Sequence, residues 1–194
     1  NGTAIIATPG WGVSITDGAS YNRIGGINPG EGNLLSGASH TEIMIEGANT
    51  TDNIIIGNYI GTDATGTALL GVGGMGIWLD FGASGNTVEH NLICGCKGCA
   101  IILGNASSYN SVTGNSIGTD VTGTVMLGND GPGVLVIDRE TSFNRFESNV
   151  ITTYSFGIHI EDGTGNIVLG NLVGIDASGF KPLGHSGHGV VVED

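Results

Sequence analysis

Acidic side chains follow the short apolar stretches of this sequence at regular intervals. Each stands just after an apolar-x-apolar pair; the set comprises Asp17, Glu46, Asp80, Asp138 and Asp162. If those pairs are equivalent strands stacked on one another, one carboxylate per strand lies about 5 Å from the next. Like charges at that spacing repel each other, and Ca²⁺, which prefers oxygen ligands, would relieve the repulsion. The five residues are therefore candidate Ca²⁺ ligands, the alternative being acidic turn residues that point into solvent.

The three cysteines form a second candidate site within one short segment, Cys94-Gly95-Cys96-Lys97-Gly98-Cys99. Three thiols and the nearby His90 match the ligand types of a zinc site. In a secreted protein, a local disulfide is the commoner use of closely spaced cysteines. Cys94, Cys96 and Cys99 are thus disulfide candidates with one thiol left over, and the spacing leaves the pairing open.

Basic side chains are what a polysaccharide lyase needs to remove the proton next to a uronate carboxylate. The chain has five: Arg23, Lys97, Arg139, Arg145 and Lys181. Arg23 and Arg145 occupy equivalent positions of the repeat described below, but they are four repeats apart. The sequence therefore predicts no basic groove for a uronate polymer.

The elements that must position these residues are repeated along the whole chain. Two series of asparagines each begin an Asn-x-apolar triplet: Asn22, Asn53, Asn86, Asn110, Asn144 and Asn166, then Asn33, Asn58, Asn91, Asn115, Asn149 and Asn171. From the second repeat onward the two lie five residues apart, whereas residues 26–31 are inserted in the first repeat. A third landmark is the apolar pair: Val13/Ile15, Ile43/Ile45, Ile77/Leu79, Ile101/Leu103, Val134/Val136, Ile158/Ile160 and Val190/Val192.

These landmarks predict an all-β parallel β-helix of about seven coils. The apolar residues alternate with a period of two in short pieces that Gly, Asn, Asp, Ser and Thr interrupt, which indicates short strands and tight turns. The 37 glycines are too many for helices. A repeat of three short strands suits a coil that wraps once and stacks on the one before it.

In such a rod, equivalent side chains form columns. We expect one inward column through the first residue of each apolar pair and another through Ile24, Ile55, Val88, Val112, Phe146 and Val168. The asparagines should form ladders in the turns, because Asn tolerates the left-handed backbone conformation and stacked amides can bond along the rod.

Every second coil carries an extra loop of about nine residues, which makes the true unit a two-coil repeat. The loops contain Gly61-Thr62-Asp63, Gly118-Thr119-Asp120 and Gly174-Ile175-Asp176, and each continues to a Leu-Gly. We favour loops that fold back over the rod, with the leucine as a plug, over loops that bind a ligand. Asp63, Asp120 and Asp176 are expected to form Asx turns.

One outward column is unexpectedly apolar. Between the members of each pair stand Met44, Trp78, Ile102, Leu135, His159 and Val191, preceded by Ser14. An apolar stripe on a surface strand usually means that something covers it. We expect either the long loops or a lateral protein interface there, or less favourably a sugar platform on Trp78.

Composition limits the classes of partner. A net charge of −13 with only five Lys and Arg disfavours nucleic acid and anionic membranes, and no apolar run is long enough to span a membrane. We expect a single domain, residues 1–194. Neither terminal repeat has the polar cap that solenoids normally carry, so the chain is expected to be a segment of a longer rod or a unit that stacks end to end.

The repeated sequence motif resembles the right-handed parallel β-helix repeats of bacterial secreted and cell-surface, adhesin-like proteins in the pectate-lyase-like superfamily. The matching residues are Gly32-Asn33-Leu34-Leu35-Ser36-Gly37 and Gly57-Asn58-Tyr59-Ile60-Gly61-Thr62-Asp63-Ala64-Thr65-Gly66-Thr67, and the resemblance covers essentially the whole chain. Some members of the superfamily cleave or epimerise acidic polysaccharides. Gly187-His188-Gly189 matches one element of polygalacturonases, but the other elements of that pattern are missing.

We therefore expect a secreted or cell-surface structural and adhesive β-solenoid without a catalytic set. It would need no cofactor, apart from the candidate Ca²⁺, and would associate with itself end to end or laterally; an assembled filament is one version of this expectation. The alternative is a carbohydrate-active β-helix with an extracellular polysaccharide as partner.

Overall fold

The computed structural model describes residues 2, 4, 7–184 and 186–194, and this part of the chain contains strands and turns but no helix. The nineteen strands are β1 (Trp11–Ile15), β2 (Arg23–Gly25), β3 (Leu34–Leu35), β4 (Thr41–Glu46), β5 (Ile54–Ile56), β6 (Tyr59–Ile60), β7 (Met75–Asp80), β8 (Thr87–Glu89), β9 (Leu92–Ile93), β10 (Ile101–Leu103), β11 (Ser111–Thr113), β12 (Ser116–Ile117), β13 (Val134–Val136), β14 (Arg145–Glu147), β15 (Val150–Ile151), β16 (Ile158–Glu161), β17 (Ile167–Leu169), β18 (Leu172–Val173) and β19 (Val190–Glu193).

The strands form three sheets, and every third strand returns to the same sheet. Sheet 1 has the order β1-β4-β7-β10-β13-β16-β19, sheet 2 has β2-β5-β8-β11-β14-β17, and sheet 3 has β3-β6-β9-β12-β15-β18. Every named strand pair is parallel. Each coil thus contributes one strand to each sheet, and the predicted right-handed parallel β-helix of about seven coils is confirmed.

The predicted columns are present with the predicted register. The first members of the seven apolar pairs are partners from coil to coil. In sheet 2, Val112 pairs with both Val88 and Phe146, and all three side chains are fully buried. Burying an aliphatic side chain completely contributes about 1.5–3 kcal/mol, so the stacked columns are the main source of apolar stabilisation.

Both asparagine ladders run without a break. In each link, the backbone N–H and the Nδ2 of one asparagine donate to the Oδ1 of its equivalent one coil further on, as from Asn91 to Asn115 at 2.9 and 3.1 Å. The same Nδ2 also donates to a carbonyl of the preceding coil, as from Asn91 to Ile55 at 2.9 Å. Every amide in the middle of the rod is therefore buried and fully hydrogen-bonded.

The left-handed backbone conformation lies one residue earlier than expected. The ladder asparagines themselves do not have positive φ; the residue before them does, in eleven of twelve cases: Tyr21, Asp52, Gly85, Tyr109, Phe143 and Gly165 in the first series, and Gly57, His90, Gly114, Ser148 and Gly170 in the second. Our explanation of the asparagines by their tolerance of this conformation was wrong. They are required because an amide can accept two N–H groups and donate two in a dry turn.

The three long loops fold back on the rod, as favoured. Each closes with an antiparallel bridge, such as Thr62 with Leu69. Consecutive loops also touch, since Val121 N–H donates to Gly66 O and Ala177 N–H donates to Gly123 O, both at 2.9 Å. The leucines before the closing glycines (Leu70, Leu127 and Leu183) are only half-buried, so they are not plugs. The loops lie over sheet 3.

No helix in the described part of the chain has the length and hydrophobicity needed to cross a membrane.

Replacement of Asn91 by alanine should lower the free energy of unfolding by about 3 kcal/mol. The reason is that the buried Asn58 N–H and the Ile55 carbonyl would lose their hydrogen-bond partner. Asn22→Ala is the matched control, since Asn22 is exposed at one end of the same kind of ladder, and it should cost less than about 1 kcal/mol. Urea unfolding followed by circular dichroism measures both. Equal costs would show that the ladders do not carry the stability assigned to them.

Candidate functional site

The five candidate Ca²⁺ ligands do not form one ladder. Asp17, Asp138 and Asp162 occupy a left-handed turn position with φ of 57°, 74° and 66°. Glu46 and Asp80 stand one position earlier, at the ends of β4 and β7, where they are register partners. The prediction of a single ladder failed because the coils differ by one residue at this point. In the coils that contain Asp17, Asp138 and Asp162, one extra residue separates the apolar pair from the aspartate: Thr16, Ile137 and Glu161, respectively.

Most of these carboxylates already have protein partners. Asp80 is 1 % exposed and accepts a hydrogen bond from Asn105 Nδ2 at 2.8 Å. Asp138 accepts from the backbone N–H of Asn105 at 2.9 Å, and Asp162 pairs with Arg139 at 3.4 Å. Over the residues that the structure covers, no three His, Cys, Asp or Glu side chains come close enough to hold a metal ion. The predicted calcium ladder is not assembled.

The cysteines are three free, buried thiols, so the predicted local disulfide is not present. All three side chains are buried, and Cys94 Sγ lies 2.9 Å from the carbonyl oxygen of Thr119 in the next coil. Burial raises the pKa of the thiol to about 12 for Cys94 and about 11 for Cys99, and raises that of Cys96 as well. His90 is exposed, and it does not join the thiols in a group that could hold a metal ion within the described residues, so the zinc alternative is also wrong.

The Lys and Arg side chains are dispersed over the rod. Four pair with carboxylates: Arg23 with Glu31, Lys97 with Asp130, Arg139 with Asp162 and Arg145 with Glu147. The fifth, Lys181, reaches the carbonyl oxygen of Thr124 at 3.5 Å. His188 is exposed and stacks on Phe156 with 5.9 Å between ring centroids. Within the described residues, the Lys and Arg side chains are therefore not grouped into a groove that would receive a uronate.

The outward apolar stripe of sheet 1 is partly covered. Met44 is 3 % and Ile102 is 8 % exposed, while Trp78, Leu135, His159 and Val191 are half-buried. The cover comes from neighbouring turn residues: His40 stacks on Trp78 with 6.0 Å between ring centroids, and Phe156 contacts His159 at 5.0 Å. Because the long loops lie on sheet 3, they are not the cover that we expected for this stripe. A lateral protein interface here stays a prediction.

The loop aspartates form Asx turns, as predicted. Asp120 Oδ1 accepts hydrogen bonds from the Thr122 hydroxyl at 2.9 Å and from the backbone N–H groups of Thr124 and Val125, both at 3.0 Å. Burial opposes ionisation of this carboxyl, but the hydrogen bonds outweigh it and lower the pKa of Asp120. Asp63 and Asp176 have the same arrangement and a lowered pKa, with the Thr65 and Ser178 hydroxyl groups as the main cause.

Glu42 is a buried carboxyl that the sequence analysis missed. It occupies a position where the neighbouring coils have Gly12 and Gly76, and a Cβ at Gly12 would lie 2.7 Å from Glu42 Oε2. Burial raises its pKa, while N–H groups from Ala38 and Gly37 act in the opposite direction; the Ala38 N–H lies 2.8 Å from Oε1. Alternation alone assigns this residue to the outer face, so no sequence signal revealed it.

A groove of about 570 Å³ lies over the first four strands of sheet 3, and we call it the sheet 3 groove. Its lining includes Leu34, Tyr59 and Leu92 from the strands, Asn28 from the inserted residues 26–31, and Val121 from the second long loop. The insertion and the loops were each recognisable in the sequence. That they face one another across sheet 3 was not, because it depends on how the coils stack.

Comparison with known proteins gives one family and one solved structure. A model of the family described as periplasmic copper-binding protein (NosD) matches residues 69–176. No curated protein sequence matches the chain. Among solved structures, the chain is similar to a double mutant of the periplasmic alginate epimerase AlgG, with a TM-score of 0.48 and 15% identity over 96% of this chain. The alignment covers 46% of the epimerase, so this chain spans less than half of that protein's length.

The thiols should not react with a disulfide reagent such as DTNB in the native protein, because burial keeps them protonated and shielded. All three should react at once when guanidinium unfolds the chain. Absorbance at neutral pH follows the reaction. Rapid native labelling of even one thiol, or the recovery of fewer than three thiols after denaturation, would contradict the buried free-thiol arrangement.

Acid should weaken the long loops. Because the folded pKa of Asp120 is lowered, its stabilisation is complete above the unfolded value of about 3.9 and is lost as the pH falls through the lower folded value. Asp120→Asn should therefore be less stable than the wild type at neutral pH, and the difference should shrink in acid. Thermal unfolding from pH 7 to pH 2 measures this. Asp194→Asn, an exposed carboxylate with no described partner, is the control and should leave the profile unchanged.

Proposed function

The chain belongs to the family of periplasmic copper-binding proteins (NosD), and from this membership we propose that it is a β-helical scaffold of the cell envelope. In this proposal the chain holds other molecules in place and catalyses no reaction. It lies on the non-cytoplasmic side of the inner membrane, since the family is described as periplasmic and no part of the proposal needs a cytoplasmic reactant.

The observation that carries the scaffold role is the unbroken pair of asparagine ladders. The first ladder joins six coils through Asn22, Asn53, Asn86, Asn110, Asn144 and Asn166. The second does the same on the neighbouring turn, from Asn33 to Asn171. Two parallel rows of buried amides resist both bending and sliding of the coils, because either motion would leave dry polar groups unpaired. Such a rod suits a mechanical role.

Copper does not enter the proposed mechanism, because the donor groups described here do not fit a copper centre. Copper takes imidazole, thiolate and thioether ligands. The thiols are buried and protonated. Within the described residues, no three imidazole, thiol or carboxylate groups lie close enough together to hold one metal ion. The thioethers are dispersed as well: Met44 stands opposite Trp78, Met75 stands opposite Thr41, and Met126 lies in the second long loop.

We further propose that rods of residues 1–194, taken by themselves, associate end to end, so that one coil of a second copy packs on the coil that contains β19. Val190 and Val192 are 46 % and 69 % exposed, whereas their partners Ile158 and Ile160 in the coil before are buried. Strand β19 also has one unpaired edge in sheet 1, and an unpaired edge is a template for another strand. The same column begins with the half-buried Val13 in β1, so a second copy offers a matching apolar surface.

End-to-end association predicts that the sedimentation coefficient rises with protein concentration and that negative-stain images show rods longer than one chain. Val192→Asp should keep the protein monomeric, because it places a charge in the proposed contact. Val125→Asp, on an exposed loop residue away from β19, should behave like the wild type. Monomers at every concentration, or assembly of Val192→Asp, would refute this mode of association.

A further inference from the structure

We propose that the sheet 3 groove is a binding site for an uncharged oligosaccharide. Its floor is formed by outward side chains of four consecutive coils, Leu34, Tyr59, Leu92 and Ser116, which are register partners in β3, β6, β9 and β12. At about 4.8 Å per coil, this floor is about 14 Å long and runs parallel to the rod axis. A groove of this length and of about 570 Å³ accommodates a short chain of sugar rings.

One wall of the groove is the insertion of residues 26–31, which is held in place by its own hydrogen bonds. Glu31 accepts from Asn28 Nδ2 at 2.9 Å and from the Asn28 backbone N–H at 3.4 Å. The Arg23 guanidinium lies 3.9 Å from the same carboxylate. The base of the insertion packs against Gly57, where a side chain would collide with the Gly26 carbonyl. The wall is therefore preformed, which lowers the entropic cost of binding.

The opposite wall consists of the first two long loops. Gly66 lies so close to Tyr59 and Leu92 that a Cβ there would be 3.0 Å from a ring carbon of the tyrosine and 3.0 Å from a methyl of the leucine. Val121 N–H donates to Gly66 O at 2.9 Å and joins this loop to the next one. The loops thus pack against one side of the Tyr59 ring, and the rest of the ring lines the groove.

The lining is chemically suited to neutral sugars. It contains no Asp, Glu, Lys or Arg. The aromatic ring of Tyr59 and the exposed Leu34 offer apolar contact to the C–H face of a sugar, while Asn28, His90, Ser116 and several glycine peptide groups offer donors and acceptors to its hydroxyl groups. A polyuronate is disfavoured, because the chain has a net charge of −13 and no Lys or Arg lines the groove.

An extended peptide fits the groove less well than a sugar. Peptides that add to a sheet need an unpaired strand edge. Strands β6, β9 and β12 are each hydrogen-bonded to a neighbour on both sides, so among the described strands at the groove β3 alone has a second edge without a strand partner. The recognition groups that remain are side chains and turn peptides, which favours a ligand rich in hydroxyl groups.

Isothermal titration of the whole chain with cellohexaose and maltohexaose tests the proposal, with a hexamer of galacturonate as the charged comparison. At least one neutral hexamer should bind, and the galacturonate hexamer should not. Tyr59→Leu keeps the apolar packing against Gly66 but removes the ring, and should weaken binding about tenfold, since 1.4 kcal/mol corresponds to tenfold. Tyr59→Phe should bind nearly as well as the wild type.

A second variant guards against a folding defect. His90→Gly removes a lining imidazole, and the equivalent position in other coils is glycine at Gly57, Gly114 and Gly170, so the fold should tolerate it. This variant should bind severalfold more weakly, and Tyr154→Ala, an exposed tyrosine outside the groove, should bind like the wild type. Failure of both neutral hexamers, equal binding of the galacturonate hexamer, preference for an extended hexapeptide, or unchanged affinity in Tyr59→Leu would each overturn the proposal. None of these outcomes bears on end-to-end association, which has its own readout.

Discussion

The bond from one asparagine amide to the next holds the whole architecture together. Within each ladder, Oδ1 accepts two N–H groups from the preceding coil, and Nδ2 donates both along the ladder and back to a carbonyl, as at Asn58 and Asn91. Because these amides are buried, a missing partner costs far more than one surface hydrogen bond. The coils can therefore stack in only one register, and a slip by one residue would also turn the apolar columns outward.

This register explains features that look unrelated in the sequence. The turn that presents each ladder amide requires a left-handed residue just before it, and in several coils that residue is aromatic. Tyr109 and Phe143 adopt φ of 60° and 59° and stack with 5.2 Å between ring centroids. A bulky residue with positive φ is strained, so the ladders and the core must impose this conformation on the turn.

The side chains that could do chemistry are mostly used to build the rod. Asp80 and Asp138 both bind Asn105, the loop aspartates close their own turns, and the thiols fill the core. An active site needs groups that are held close together and left free to meet a substrate. The described surface offers such freedom mainly at the sheet 3 groove, where uncharged groups converge. A scaffold that also holds a neutral ligand is consistent with that distribution.

The sequence alone determined the fold class, the number of coils, the membership of the core columns and the existence of both ladders. These follow from a short repeat, since each coil meets only its neighbours and period-two alternation assigns the faces. Three things were decided only by the tertiary structure. Whether Asp17 and Glu46 share a position depends on one extra turn residue, and whether Cys94 faces Cys96 or the next coil depends on the direction of a turn between sheets. The groove depends on the insertion and the long loops meeting across sheet 3. All three concern turns and insertions, whose direction in space is set by contacts with other coils and not by the local pattern of residues.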